Sequence, residues 1–223
     1  MTGISEMIEF LSELRKNNDR EWFTLHKQDY EAIRNKCFSE INVLISEICK
    51  FESSLSGLDA KDCVFRIYRD LRFSKDKSPY KTHFGIVLAR GGRKCKTVAA
   101  YLHIEPGQCG LYGGVWMPDR DFLRALRQDI TDNFEEFSAI VEERGFLDEF
   151  GKVQGETLKK VPAGFQEDCP GLEYVKMKQF LAIKPLKDNF FLSSDWQKNL
   201  VKSIKNLQPF LQFLNYTYDN LHT

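Results

Sequence analysis

Val64-Phe-Arg-Ile-Tyr-Arg-Asp-Leu-Arg-Phe-Ser-Lys-Asp-Lys-Ser-Pro-Tyr-Lys-Thr-His-Phe84 is where the hydrophobic period of this chain changes. Before Cys63 the apolar residues recur at helical spacing; from here they alternate. Within 64–73 one parity collects Phe65, Ile67, Leu71 and Phe73, and the other Arg66, Tyr68, Asp70 and Arg72, which predicts a strand. Arg69 falls on the apolar parity. It needs either a bulge or a buried partner, and Asp70, facing the other way, cannot be that partner. Pro79 and the density of charge make 74–82 a loop.

Downstream, Phe84–Leu88 reads as a strand, Gly91-Gly92 as a turn, and Thr97–Glu105 as an antiparallel return. Leu111–Trp116 reads as a further strand, thinned by Gly113 and Gly114 for close packing rather than for phosphate cradling. The expected fold is therefore α+β. An antiparallel β-meander at about residues 63–117, of about four strands, is packed by N-terminal and C-terminal helices in a single domain spanning 1–223.

The N-terminal helices follow from stripes. Ile4, Met7, Ile8, Leu11 and Leu14 predict one over 4–16, ended by Asn17-Asn18. Asn18 with Glu21 three residues on predicts the start of a second, which carries apolar residues to Ile48 and breaks near Gln28–Asp29 or Asn35. Pro118-Asp119 opens another helix, and Ser193, Ser194 and Asp195 cap a last one that Pro209 restarts or kinks. Residues 145–192 are punctuated by Gly and Pro too often for long elements, and Glu173–Ile183 fits a helix or a strand.

Composition bounds the partners. With 223 residues, 42% hydrophobic and 18 Phe, the chain can bury a large core and is not a disordered segment. The 32 basic and 32 acidic residues leave no global attraction to nucleic acid or to an anionic membrane surface. Six cysteines stand singly, with no C-x-x-C pair, and read as reduced thiols. The first residues hold no basic n-region, and no apolar run approaches the roughly 18 residues of a membrane span. A soluble, cytoplasmic protein is expected, without a membrane partner; oligomeric state is open.

Against that neutral background, Arg66, Arg69, Arg72, Lys75, Lys77 and Lys81 set six cations beside two acids, Asp70 and Asp76. Arginine forks and mobile lysines suit phosphate or carboxylate. The candidate binding set is these eight residues with Tyr80, with Trp22 or Trp116 as a wall, and the candidate ligand is a small molecule bearing phosphate or carboxylate. Two alternatives stand beside it: an interaction module that docks an acidic partner protein, and a purely structural ion-pair network. The tip residues Arg90, Arg93, Lys94 and Lys96 read as a solvated turn, and nucleic acid is not the expected partner.

His83 begins one strand and His103 ends the next, at the end where the cationic loop enters. Whether they share a face depends on the turn length, which the sequence leaves open. If they do, His83, His103 and Glu105 are candidates for general acid/base work or for part of a metal site, although His-x-Glu alone is too common to mark a ligand pair. No Cys lies at metal-ligand spacing; no metal and no cofactor is expected. The phosphate-loop, dinucleotide, nucleophile-elbow and H-E-x-x-H motifs are all absent.

Several segments together resemble one uncharacterised, mainly bacterial family of unknown function. They are Asn17-Asn18-Asp19-Arg20-Glu21-Trp22-Phe23, Phe65 to Lys81, Tyr101-Leu-His-Ile-Glu-Pro-Gly107, Gly113-Gly-Val-Trp-Met-Pro118 and Leu158-Lys-Lys-Val-Pro-Ala-Gly-Phe165. The family's signature reads FRIYRDxRFSKDKxPYK. Its late segment usually reads Leu-Lys-Arg-x-Pro-Lys-Gly, from which Lys160 and Ala163 depart. The resemblance covers nearly the whole chain and implies a single-domain α+β cytoplasmic protein. It brings no activity, cofactor or catalytic residue with it.

Overall fold

The computed structural model describes residues 1–72, 74–95 and 98–222. The expectations for Phe73 on the apolar parity, Lys96 at the hairpin tip and Thr97 at a strand start lie outside these residues.

Helix α1 spans Gly3–Lys16. The Thr2 hydroxyl accepts from the Ser5 N–H at its start, and Arg15 and Lys16 lie in the last turn, where the helix dipole favours cations. The Glu40 carboxylate takes the N–H groups of Gly3 and Ile4 at 2.7 and 3.1 Å, so two further donors of that end are satisfied from another helix. Helix α2 is Arg20–Leu25, and α3 runs unbroken over Lys27–Cys49. The break in the long helical pattern falls at His26, earlier than predicted. Its ring stacks on Trp22 at 4.0 Å, and its Nδ1 meets the Trp22 carbonyl at 2.8 Å, which closes α2. The cap of α2 is Asp19, not Asn18.

A short turn, α4 at Ala60–Cys63, leads into the sheet. Strands β1 (Phe84–Leu88), β2 (Ala99–Ile104), β3 (Gly110–Val115) and β4 (Phe180–Pro185) form one antiparallel sheet in that order. Helices α5 (Arg120–Asp132), α6 (Phe134–Val141), α7 (Arg144–Phe150), α8 (Leu172–Val175) and α9 (Trp196–Leu221) complete the chain. The α+β expectation holds, and α9 continues through Pro209 without a restart.

The strand predicted over 64–73 is not a ladder. Among the described residues its strand pairing is limited to isolated bridges, Val64 to Ile86 and Tyr68 to Tyr80. Between them three residues on one side face five on the other, so a continuous ladder is excluded and the excess bulges out at Thr82 and His83. The fourth strand is β4, supplied by the Gly- and Pro-punctuated region. Residues 173–183 hold both a helical turn and a strand. The seat for β4 is made by Gly114, at φ +126°, where a Cβ would lie 2.0 Å from the Phe180 carbonyl oxygen.

Two units divide the fold. The first comprises Met1–Lys94, Tyr101–Leu111 and Pro185–Lys202, and the second Cys95–Ala100, Tyr112–Lys184 and Ser203–Thr223. In the first, Ile4, Leu11 and Leu14 of α1 are buried, as are Cys37, Ile41 and Leu44 of α3 and Phe191 in the 3-10 turn that follows β4. In the second the core is aromatic: Phe210 of α9 lies 5.5 Å from Phe146 and 6.4 Å from Phe137. No described helix is long and apolar enough to cross a membrane.

Candidate functional site

The hairpin 64–81 is held by few backbone bonds, Arg69 N–H to Pro79 at 3.0 Å and Lys81 N–H to Ile67 at 2.8 Å. Asn18 supplies the rest. Its amide donates to the Tyr80 carbonyl and accepts from the Tyr80 N–H, at 3.0 and 3.1 Å, as a strand neighbour would. Tyr80 itself is 5% exposed and stacks on Phe23 at 4.0 Å, so it anchors the hairpin from beneath.

Within the loop, the cations divide. Arg69 pairs with Asp76, bonds Ser78 and reaches Ser74 at 3.2 Å. Asp76 also accepts from the Ser78 N–H at 2.9 Å. That bond and those from Arg69 and the Ser78 hydroxyl pull its carboxyl from the ordinary 3.8 down to about 2. Arg72 clasps Asp70 through Nε and Nη2, and the Asp70 carboxyl is lowered by those bonds. Lys77 bonds the Leu71 carbonyl at 3.1 Å. Lys75 is exposed. This half of the candidate set is an ion-pair network that ties the loop to itself.

Arg66 is different. Among the described residues it has no carboxylate partner, and it lines a groove of about 440 Å³ between α3 and the 64–68 segment. Phe23, Tyr30, Phe38, Phe65 and Tyr68 wall this groove, and Arg34, Arg93 and Lys27 add positive charge against the single acid Glu31. Lys27 and Glu31 lie 3.9 Å apart, which leaves three arginines. Arg34 sits over the Tyr30 and Phe38 rings at 5.7 and 5.5 Å, a cation–π arrangement, and its Nε is buried with no hydrogen-bond partner. Arg93, expected in a solvated turn, instead folds back onto the carbonyls of Lys61 and Val64. Burial, against the charge of Arg34, pushes the Tyr30 hydroxyl up to about 12. The proposed tryptophan walls are placed otherwise: Trp22 is taken up by Phe10 and His26, and Trp116 is 64% exposed.

At the bulge, His83 and His103 do share a face, with ring centroids 4.8 Å apart. His103 Nε2 lies 3.0 Å from Glu105 Oε2, and its Nδ1 lies 3.2 Å from the Tyr101 hydroxyl. The other Glu105 oxygen accepts from Arg15 at 2.9 Å and from Thr82 at 3.1 Å. The Tyr101 hydroxyl passes over Gly85, where a Cβ would lie 2.4 Å from it. Burial would raise the Glu105 carboxyl, but the hydrogen bonds from His103 and Thr82, with the charges of His103 and Arg15, hold it below its ordinary value. Burial lowers His83, helped by His103, Lys81 and Arg69 and opposed by Glu105. A chain of carboxylate, imidazole and phenol is thus assembled and half-buried.

Sequence reasoning did not single out Arg34, Arg15, Thr82 or Tyr101 for these sites. Arg34 interrupts the apolar stripe of α3, four residues after Tyr30 and three before Cys37, and that position is a local signal for it. Arg15 is 90 residues from the carboxylate it meets, and no local pattern marks it. A larger groove, about 940 Å³, lies in the second unit, where Asp129, Glu136 and Glu143 give it an acidic rim.

The pairing of Asn18 with Tyr80, the Arg69 loop and the Tyr101–Glu105 row involve the segments that carry the resemblance noted above. The family described as "Conserved hypothetical protein (DUF2461)" matches residues 6–213. The chain belongs to this family. The matched span takes in the hairpin, the groove and the histidine cluster alike. Comparison with curated proteins and with solved structures gave no significant match.

Proposed function

We propose that this protein binds an anionic small molecule, bearing phosphate or carboxylate on a flat, unsaturated body, in the groove between α3 and the 64–68 segment. One observation carries the reading. Arg66, Arg34 and Arg93 converge on a groove walled by five aromatic rings, and the Arg34 Nε there is buried without a partner. A buried donor without an acceptor costs about 1–3 kcal/mol, which a ligand oxygen would recover once the Arg34 side chain turns that N–H into the groove. The volume falls in the range of small-molecule sites, about 300–1,000 Å³. The rings offer stacking area and the arginine forks a bidentate seat for an oxyanion.

Concavity argues against the alternative of a flat patch docking an acidic protein. The internal ion-pair reading fits Arg69 and Arg72, whose charge is spent on Asp76 and Asp70, but not Arg66.

Thermal unfolding of wild type, Arg66→Ala, Arg34→Ala and Lys75→Ala with phenyl phosphate, benzoate and inorganic phosphate tests this. At a hundredfold excess over Kd a ligand stabilises by about 2.7 kcal/mol. For a chain of this size that raises Tm by roughly 5–10 °C. Aromatic anions should raise the wild-type and Lys75→Ala midpoints, inorganic phosphate less, and the two arginine variants should lose the effect. No response to either aromatic anion, or an undiminished response in Arg66→Ala, overturns the reading.

A further inference from the structure

The cluster at the bulge supports a second site, independent of the groove. His83, His103 and Glu105 each offer one ligand atom, and those atoms all lie within 4.8 Å of one another. We propose that these three residues hold a divalent transition-metal ion, with His103 Nε2 and Glu105 Oε2 as the preformed pair and His83 as the ligand that closes on it.

Two imidazoles and one carboxylate are a donor set that suits zinc or iron rather than magnesium or calcium, which prefer oxygen. Three protein ligands leave coordination positions open, as catalytic rather than structural sites do. The 3.0 Å between His103 Nε2 and Glu105 Oε2 is a spacing that two ligands of one ion adopt, since each would lie about 2.0–2.2 Å from it. The His83 ring makes no hydrogen bond among the described residues, and its residue lies in the bulge outside the ladder. It is therefore the member that can rotate the remaining ångström or so.

The surroundings fix the other two ligands from behind. In the ion-free chain Nε2 donates to Glu105; with an ion bound there the proton would sit on Nδ1, where the Tyr101 oxygen can accept it. Arg15 and Thr82 occupy the second Glu105 oxygen and orient the first. Three cations lie near. Arg15 pairs with the second oxygen of Glu105 itself, Arg69 is neutralised by Asp76, and Lys81 extends over the Phe65 ring at 5.2 Å. The ligands bring one negative charge and two neutral rings to a dication, so the ion would carry net positive charge into a half-buried site. An oxyanion or hydroxide in an open position balances it.

The experiment uses the full chain, stripped with a chelator and titrated with Zn²⁺ against a competing chromophoric chelator, and with Co²⁺ followed by its visible absorption. Wild type should bind one Zn²⁺ per chain and give a Co²⁺ spectrum of nitrogen and oxygen ligation. His83→Asn and His103→Ala should weaken binding at least a hundredfold, and Tyr101→Phe about tenfold, in the range that outer partners contribute. His222→Ala should bind as wild type. His83→Asn removes no hydrogen bond, so it keeps the test decisive if His103→Ala does not fold. Substoichiometric Zn²⁺, or His83→Asn binding with wild-type affinity, overturns the proposal and leaves Glu105–His103–Tyr101 as a hydrogen-bonded chain only.

Discussion

Arg69 reaches across its loop to Asp76 and not to its neighbour Asp70. The side chain on the apolar parity is 25% exposed and tied to three loop residues, while Asp70 is held by Arg72. The odd arginine of the sequence thus clasps its own loop.

That clasp titrates. The Asp76 carboxyl is depressed in the folded chain, so its contribution to stability is fully present above the ordinary carboxylate pKa of 3.8 and is lost as pH falls through about 2. NMR titration of the Asp76 carboxyl should return a value near 2, and in Arg69→Ala a higher one. An ordinary value in wild type would show the loop open in solution.

Gly85→Ala should unseat Tyr101 without unfolding the chain. The added Cβ meets the far end of a side chain that can swing. Global stability should fall by only about 1 kcal/mol. The His103 Nδ1–Tyr101 bond should break, which the imidazole ¹⁵N shifts report. An unchanged His103 tautomer would contradict the positioning role.

Gly114→Ala should be far worse than Gly113→Ala. At 114 the backbone is left-handed and the new Cβ meets a β4 carbonyl, which predicts a loss of about 2–5 kcal/mol. At 113 the three nearest atoms all belong to the Leu207 side chain, which has more freedom to shift than a strand backbone. Urea midpoints of the two variants check the order.

In the second unit Lys184, Glu149 and Ser203 form a half-buried triad, Lys184 to Ser203 at 2.8 Å and Ser203 to Glu149 at 2.7 Å. Lys184→Met alone should cost about 2–4 kcal/mol, because a desolvated carboxylate loses its cation. Lys184→Met with Glu149→Leu should cost less than the two changes summed, with a coupling of roughly 0.5–3 kcal/mol by denaturant unfolding. Strict additivity would mean that the triad does not form.

Burial pushes the Cys63 thiol up to about 11 and Cys109 up to about 12, and raises Cys37 further. At pH 8 these three should react with a thiol reagent orders of magnitude more slowly than an exposed cysteine. None of the six cysteines is in a disulfide, so mild denaturant should release the protected ones without a reductant.

The periods and punctuation of the sequence determined the class of fold, because a helical stripe or an alternation is a local consequence of burying one face. The α1 stripe from Ile4 to Leu14, the β1–β2 return and the glycine-thinned β3 were legible that way. So was the concentration of charge at 66–81, and the placing of His83, His103 and Glu105 at one end. What the sequence left open depended on residues far apart in the chain. β4 was hidden because its pairing relies on Gly114 admitting a backbone 66 positions away, not on its own alternation. The shared face of His83 and His103 was set by a two-residue mismatch between bridges, which no single-strand pattern records. The division of the cations was decided by which carboxylate lay within reach. Asp76 and Asp70 claimed Arg69 and Arg72, and Arg66 was left facing a groove whose other arginines come from a helix and a turn some thirty residues away on either side.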